Sequence, residues 1–334
     1  EKAWVVNAGQ KGTDGFMRWF LENENIKKIV HNLPFEFRWS VAEYGIEPKG
    51  VILDTRLMQY MVDENASRDL EAMASHYFKA GKWSIDGLMV KNGWTYATIP
   101  YDYLYHYNGL DAYWTRKLVT PLKELMEKQE VMGPYFDIVQ PLAVLCSRLE
   151  RVGIKIDLAW AKAADKDFTL KAGALHKKML LIPEVRKLIA DKKAADFKFN
   201  PGSSQQIREL LYKRMSFETR KRTKKGGLLS TDQKVVEKFR GKHPFVDTYL
   251  DWKGFDTLRN NFTTKFPQYA DENGFVHPEY DPAGTVTGRP SASEPPSQTF
   301  ADEPQVRGMV VSRFGLKGRI IVNDLKQLEL RILM

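Results

Sequence analysis

The sequence ends in RIIVNDLKQLELRILM at residues 319–334, where a β-branched run leads through Asp324 into an apolar stretch. The β-branched residues 320–322 predict a buried strand, and the apolar spacing from Gln327 onwards predicts a helix. A carboxylate at the end of a buried strand can hold a hard cation near solvent. It can equally cap the helix that follows. On these residues alone, helix capping is the better explanation of Asp324.

The bulk properties of the chain suit a basic globular protein with a polyanionic partner. Its 334 residues are enough for two to three domains, and Lys and Arg outnumber Asp and Glu by 51 to 42. A net charge of +9 favours a partner rich in phosphates, since cationic side chains release the counterions of such a partner. Cys146 is the only cysteine, which excludes an internal disulfide. The chain begins at Glu1 and stops at Met334 inside a helix-like run, so we expect both ends to be cut.

The order of the predicted elements indicates a small α/β domain followed by helical regions. The first part is predicted to have strands at 3–7 and 28–31 and helices at 14–25 and 100–127. After it, helices are predicted at 135–151, 158–180, 231–240 and 245–262, with a turn-rich break, FNPGSS, at 199–204. A Gly/Pro-rich region at 272–322 is predicted to contain strands at 309–314 and 319–323.

The stretch DLKQLELR resembles motif A of family A DNA polymerases. The resemblance rests on Asp324, Gln327, Glu329 and Arg331, which match the motif one by one. It implies that Asp324 ligates the two catalytic metals and that Gln327 and Glu329 lie at the nucleotide site, with Glu329 excluding a ribose 2′-hydroxyl. The family more often has an aromatic and then a small residue directly after this Asp, where the present chain has Leu and Lys.

A second segment, TVTGRPSAS at 285–293, resembles the TGR-containing segment of the same family, upstream of motif A. By that resemblance Thr287, Gly288 and Arg289 bind DNA, and Arg289 reaches the primer terminus. A glycine lets the backbone approach the duplex closely, and an arginine offers a fixed fork of donors. An isolated TGR is also compatible with a plain surface turn.

A third set of segments resembles the thumb of the family and the helix that leads to it. SRLERVGIKID at 147–157 resembles the start of the polymerase domain, and FNPGSSQQIRELLY at 199–212 resembles a thumb segment. Residues 213–225 hold seven basic side chains and one acid, where the thumb tip of the family grips the duplex. Such a loop is often only a solvated surface, but its position favours phosphate contact. The residues expected to make it are Lys221, Arg222, Lys224 and Lys225.

The first third resembles the proofreading domain of the family, a ribonuclease H-like fold with metal-binding carboxylates and a tyrosine. Tyr107 and Asp111 match its third motif, and their i, i+4 spacing puts both side chains on one helix face. The tyrosine would orient the attacking water and the aspartate would hold metal. HNLPFEF at 31–37 resembles the second motif, with Glu36 where the family usually has Asp. The first motif, Asp-x-Glu on the opening strand, has no counterpart.

The expected fold class is therefore α/β followed by α. A ribonuclease H-like 3′–5′ exonuclease domain, incomplete at its N-terminus, precedes the helical thumb and the start of the palm. The expected boundaries are 1–124 for the exonuclease domain, 125–162 for the lead into the polymerase domain, 163–266 for the thumb and 267–334 for the start of the palm.

The resemblance implies template-directed DNA synthesis with 3′–5′ proofreading. It implies Mg²⁺ as cofactor, held by Asp324 in the palm and by Asp111 and Glu36 in the exonuclease domain. The expected partners are primer–template DNA and deoxynucleoside triphosphates, without a membrane, for a monomer in the bacterial or phage-infected cytoplasm.

Because the fingers and the later palm motif are missing from this sequence, we expect the chain alone to lack polymerase activity. The alternatives are a non-catalytic DNA-binding remnant, one subunit of a split polymerase, or a stand-alone 3′–5′ exonuclease. The TGR segment and motif A argue against the last.

Overall fold

The computed structural model describes residues 2–7, 10–192, 197–223 and 226–333, without the side chains of Glu329, Leu330 and Leu333. Helices dominate the described chain. The helices up to residue 152 are α1 (Thr13–Glu22), α2 (Leu33–Tyr44), α3 (Thr55–Val62), α4 (Leu70–Phe78), α5 (Asp86–Asn92), α6 (Tyr101–Lys128), α7 (Met132–Pro134) and α8 (Gln140–Val152). The later helices are α9 (Leu158–Leu180), α10 (Pro183–Asp191), α11 (Ser204–Arg208), α12 (Gln233–Val236), α13 (Pro244–Leu258), α14 (Lys265–Gln268), α15 (Pro304–Arg307) and α16 (Leu328–Leu333).

The strands are short and pair in twos. They are β1 (Lys28–Val30), β2 (Val51–Asp54), β3 (Ile154–Lys155), β4 (Phe275–Val276), β5 (Glu279–Asp281) and β6 (Ser291–Ser293). β1 and β2 are parallel, with Val30 opposite Asp54, whereas β3 pairs with β4 and β5 with β6 in antiparallel fashion. The parallel pair is connected through α2, a crossover of the kind that parallel strands require.

The chain divides into two compact units, each with its own core. The first unit comprises Glu1–Gly153 and His277–Gln298, and the second comprises Ile154–Val276 and Thr299–Met334. The first core lies where α2, α3 and α6 meet, around side chains that are almost fully buried. These side chains include Leu33, Leu57, Met58, Leu118, Leu122, Met126 and Tyr135.

The second unit has two hydrophobic cores. One lies between α10, α13 and the helical turns at 204–214, and the other lies between α9, α14 and the segment around Met309. Phe245 and Phe168 are fully buried in the first and second of these cores. No helix among the described residues is long and apolar enough to cross a membrane.

The carboxylate of Asp54 connects the starts of α2 and α3. It lies at the end of β2, is fully buried, and accepts the backbone N–H groups of Asn32 and Leu33 at 3.1 and 2.6 Å. It also accepts those of Arg56 and Leu57 at 2.8 and 3.3 Å. An anion is stabilised by the N–H groups that a helix leaves unpaired at its start. One side chain therefore caps both α2 and α3.

Four side chains attach the segment at 279–285 to the helices of the first unit. Arg56 binds Asp281 in a two-pronged ion pair with distances of 3.2 and 2.8 Å. Arg68 donates to the carbonyl of Ala283 at 2.5 Å, and the Tyr60 hydroxyl donates to that of Thr285 at 2.8 Å. We call Arg56, Tyr60, Arg68 and Asp281 the arginine clamp. It holds a late segment of the chain against α3 and the loop that precedes α4.

Most helix predictions are confirmed. Helices at 14–25, 100–127 and 158–180 correspond to α1, α6 and α9, and the strand at 28–31 corresponds to β1. The helices predicted at 135–151 and 245–262 each combine an α-helix with a π-helical turn, Tyr135–Val139 and Arg259–Thr263. The helix predicted at 231–240 is only α12 followed by a short 3₁₀ turn.

Three strand predictions are wrong. Residues 3–7 and 319–323 form no strand in the described chain, and residues 309–314 contribute only one isolated bridge, between Val310 and Ile156. Ile321 and Val322 are 88% and 81% exposed, so the β-branched run is not buried. A strand needs a hydrogen-bonding neighbour, and sequence preference alone does not provide one.

Replacing Asp54 with Ala should destabilise the first unit by about 3 kcal/mol, because four backbone N–H groups at two helix starts lose their acceptor. The matched control is Asp69→Ala, which removes a single capping bond to the N–H of Ala72 and should lower stability by about 1 kcal/mol. Urea unfolding followed by circular dichroism measures both. Equal losses in the two variants would contradict the double capping role of Asp54.

Candidate functional site

Three of the predicted site residues line one cleft of about 1640 Å³ in the first unit. They are Glu36, Tyr107 and Asp111. Glu36 is on the first turn of α2, and the other two are one helical turn apart on α6. The structure thus brings together three residues that are separated by up to 75 positions in the sequence (111 minus 36).

Asp111 is held by Trp83 and influenced by Tyr107. The indole Nε1–H of Trp83 donates to its Oδ1 at 2.8 Å, and the Tyr107 hydroxyl lies one helical turn earlier on α6. Burial raises the pKa of Asp111 above its ordinary value of 3.8, Trp83 and Tyr107 lower it, and Glu71 and Asp69 raise it again. Perturbation of this kind by burial and neighbouring acids is characteristic of functional sites.

Tyr107 responds to the same surroundings. Burial raises the pKa of its hydroxyl well above the ordinary value of 10.0, and the adjacent Asp111 raises it further. The phenol is therefore neutral at physiological pH and keeps its proton for donation.

Glu36 owes its position, and a smaller part of its electrostatics, to Asp54. The turn before it is fixed by the backbone N–H groups of Asn32 and Leu33 on the Asp54 carboxylate. Burial raises the pKa of Glu36 above its ordinary value of 4.5, and the negative charge of Asp54 raises it further. A raised pKa means that the ionised carboxylate of Glu36 is less stable in the folded protein than in water. A bound cation would stabilise this ionised form.

Cationic side chains also line the cleft. Arg56 and Arg68 do so while taking part in the arginine clamp, and Arg116 contributes from α6. Acidic residues are present as well, among them Asp69 and Asp86. The arginines of such a cleft can attract a phosphate backbone. The carboxylates repel the same backbone where it passes close to them.

Sequence reasoning missed Asp54, Trp83 and the arginine clamp. For Asp54 a signal existed, since the run VILD at 51–54 ends in an acid just before a helix-like stretch. For Trp83 there was none, because its contact with Asp111 spans 28 positions and depends on how the segment between α4 and α5 packs against α6.

The TGR segment forms an exposed turn in the first unit. Thr287, Gly288 and Arg289 are all exposed, and the Thr285 hydroxyl closes the turn by donating to the carbonyl of Arg289 at 2.8 Å. Gly288 has a φ of 80°, a conformation that favours glycine. The turn therefore presents its three predicted residues outward.

The predicted metal-binding Asp324 lies in a different environment from the one expected. It is exposed in a segment without strand structure, as is Gln327, so its predicted place at the end of a buried strand is wrong. The side chain of Glu329, the predicted sugar gate, lies outside the described residues.

Two of the predicted basic side chains of the loop form interactions within the chain. Lys221 forms an ion pair with Asp232 at 3.4 Å, and Arg222 donates to the carbonyl of Gly227 at 2.7 Å. Both side chains are exposed. Lys224 and Lys225 lie outside the described residues.

The side chains that the structure describes do not build a complete metal site. Within residues 2–7, 10–192, 197–223 and 226–333, no group of three or more His, Cys, Asp or Glu side chains is arranged to hold a metal ion. Glu36 and Asp111 share one cleft of the first unit and could supply two ligands there, whereas Asp324 belongs to the second unit.

Comparison with known families gives two matches that together cover most of the chain. The family described as DNA polymerase family A matches residues 182–334, and the family described as 3′–5′ exonuclease matches residues 1–127.

Curated proteins with similar sequences are DNA polymerases. DNA polymerase I of Synechocystis sp. is 29% identical over 318 residues, which cover 94% of this chain and 31% of that protein. The DNA polymerase of Bacillus phage SP01 is 30% identical over 375 residues, covering 96% of this chain and 40% of that protein. DNA polymerase I of Bacillus subtilis is 26% identical over 336 residues, which cover 99% of this chain and 35% of that protein. The chain therefore spans about a third of the length of these relatives.

A solved structure shares the fold. The POL domain of Pol1 from M. smegmatis, determined in complex with DNA primer–template and dNTP, superposes with a TM-score of 0.72 and 18% identity. The match covers 92% of this chain and 49% of that one.

Replacing Glu36 with Gln should stabilise the protein at pH 8 when metal is removed with EDTA. Because the folded pKa lies above the ordinary 4.5, the folded state holds its proton more tightly than the unfolded chain. Stability therefore falls as the pH rises from about 4.5 through the folded pKa. The neutral Gln avoids this loss, so its advantage should shrink towards pH 4. Thermal unfolding at several pH values measures the effect.

The control for this prediction is Glu43→Gln, at an exposed position on the same helix. It should leave the pH dependence of unfolding unchanged. An equal gain in thermal stability at pH 8 in both variants would mean that the change in net charge, and not the burial of Glu36 in the cleft, is responsible.

Proposed function

Because the chain belongs to DNA polymerase family A and carries a 3′–5′ exonuclease domain beside its polymerase region, we propose that it serves template-directed DNA synthesis with 3′–5′ proofreading. The partners in this proposal are primer–template DNA and deoxynucleoside triphosphates, and the place of action is the bacterial or phage-infected cytoplasm. The single observation that carries the proofreading part is the cleft that Glu36, Tyr107 and Asp111 share.

The subdivision that we propose follows the sequence boundaries. Residues 1–124 form a ribonuclease H-like exonuclease domain, 125–162 lead into the polymerase domain, 163–266 form the thumb and 267–334 begin the palm. The parallel β1–β2 pair with helices around it and the almost wholly helical region from α9 to α14 support this division.

In the exonuclease cleft, the roles follow from the contacts. Asp111 is a half-buried carboxylate that accepts a hydrogen bond from Trp83, and Glu36 is a second carboxylate in the same cleft. The neutral phenol of Tyr107, one helical turn before Asp111, is suited to orient a water molecule for attack on the terminal phosphodiester. Arg56, Arg68 and Arg116 line the cleft and favour the entry of a phosphate chain.

Domains of both kinds generally use divalent metals. We assign Mg²⁺ to them, with Glu36 and Asp111 as ligands in the exonuclease domain and Asp324 in the palm. The hard oxygen ligands that Mg²⁺ prefers support the assignment. When bound, the ion would neutralise charge on the phosphoryl group that is transferred.

The DNA-binding part of the proposal rests on two exposed elements. The turn with Thr287, Gly288 and Arg289 points its polar groups outward, as a contact with the primer terminus requires. The loop with Lys221, Arg222, Lys224 and Lys225 is proposed to contact phosphates. DNA would have to compete there with Asp232 for Lys221, so its contribution to affinity is modest. Gln327 and Glu329 are proposed to line the nucleotide site.

The test of proofreading is removal of the terminal nucleotide from a mismatched primer by the whole gene product. Asp111→Ala should lower the rate by about 10²–10³-fold, as the loss of one central electrostatic group typically does. Glu36→Asp should equal or exceed the wild type, since Asp is the usual residue of the family at this position. The control is Asp102→Ala, at an exposed position on the same helix outside the cleft. Equal, residual cleavage by wild type and Asp111→Ala would rule out a nuclease role for the cleft.

For synthesis, Asp324→Ala in the whole gene product should abolish nucleotide incorporation while leaving DNA affinity intact. Removing a negative charge from an exposed position cannot weaken attraction to a polyanion, so the loss must arise in the transition state. Primer extension and DNA-binding assays, with the exposed Glu272→Ala as control, measure the two effects. Incorporation within about tenfold of wild type would show that Asp324 is not a catalytic group, since such a group typically carries about 10²–10³ in rate.

A further inference from the structure

The indole of Trp83 lies against the carboxylate on which the proposed nuclease depends. Its Nε1–H donates to Asp111 Oδ1 at 2.8 Å, a normal hydrogen-bond length, from the segment between α4 and α5. We propose that Trp83 is a positioning residue of the cleft, which holds the Asp111 carboxylate in the orientation used for cleavage at the DNA 3′ end. This inference rests on the proposed exonuclease function and adds a residue that the sequence motifs do not contain.

The backbone at Trp83 is anchored from a second helix. Glu71, on the first turn of α4, accepts the backbone N–H of Trp83 at 2.5 Å and also that of Ser84. Two N–H groups on one carboxylate oxygen fix the direction of the chain at this point. The contact between Trp83 and Asp111 is thus built on an ordered segment and is not a chance approach of a surface side chain.

The plane of the indole ring is fixed by stacking. Trp83 stacks on Trp114 with 6.0 Å between ring centroids and an interplanar angle of 27°. Trp114 is three residues after Asp111 on α6, and its ring centroid lies 5.7 Å from that of Phe78 on α4. Because the ring cannot turn without losing this stack, its N–H keeps pointing at Asp111.

The hydrogen bond on Asp111 comes from outside its own helix. Tyr107 lies on the preceding turn of α6, whereas Trp83 donates to Asp111 from another segment. A carboxylate without such a donor can rotate about its Cβ–Cγ bond, whereas a fixed donor restricts that rotation. Supporting contacts of this kind typically change activity by about 10- to 100-fold when they are removed.

The experiment compares two tryptophan-to-phenylalanine variants of the whole gene product on single-stranded DNA. Trp83→Phe keeps an aromatic ring in the stack and removes the N–H donor. It should lower the exonuclease kcat by about 10- to 100-fold with the KM for DNA unchanged. The matched control is Trp114→Phe, which alters the same stack and leaves the donor in place, and its kcat should fall far less. Equal losses in the two variants, together with equal losses in thermal stability, would reduce Trp83 to a packing role and overturn the proposal.

A second measurement separates this inference from the nuclease proposal itself. In a nitrogen–proton NMR spectrum of the 334-residue chain, the indole resonance that disappears in Trp83→Phe belongs to Trp83. It should move upfield in Asp111→Ala and stay in place in Asp102→Ala. An unmoved resonance would disprove the contact. If the resonance moves but wild type and Asp111→Ala cleave equally poorly, the proposed nuclease fails and the positioning role in cleavage fails with it. If Asp111→Ala alone is inactive and Trp83→Phe matches the wild type, only the positioning role is lost.

Discussion

The buried carboxylate of Asp54 accepts four backbone N–H groups, and two helices begin at this one charge. Four such donors compensate the cost of removing the charge from water, so the group is stable without solvent contact. The same charge acts on the cleft, because it adds to the effect of burial in raising the pKa of Glu36 on the first turn of α2. The geometry of the cleft and part of its electrostatics therefore have a common origin in the way that the first unit folds.

The arginine clamp extends this arrangement to residues far along the chain. Arg56 follows Asp54 by two positions, and its side chain binds Asp281. Through this contact the segment that precedes the TGR turn packs with the exonuclease region in one compact unit. Arg56 and Arg68 also line the cleft, so the same two cations serve the packing of the segment and the charge of the site. A two-pronged ion pair of this type specifies orientation as well as affinity.

The sequence predicted the site where its signal was local. Tyr107 and Asp111 share a helix face because their spacing of four residues requires it once α6 forms. Gly288 similarly indicates its own turn, since its φ of 80° favours glycine. The strand predicted at 319–323 failed, since its β-branched residues indicate a preference for strand and cannot supply the neighbour that a strand needs. The exposed setting of Asp324 follows from that failure.

What the sequence by itself determined is the family and the main helices, and it singled out the candidate motif residues. These depend on residue types at short, regular separations, which a helix or a turn translates directly into geometry. Only the tertiary structure decided that Glu36 and Asp111 line the same cleft, that Asp54 caps two helices, and that Trp83 donates a hydrogen bond to Asp111. Each of these contacts joins segments that are distant in sequence. Their formation depends on how helices pack around a shared core, and no local pattern of residues contains that information.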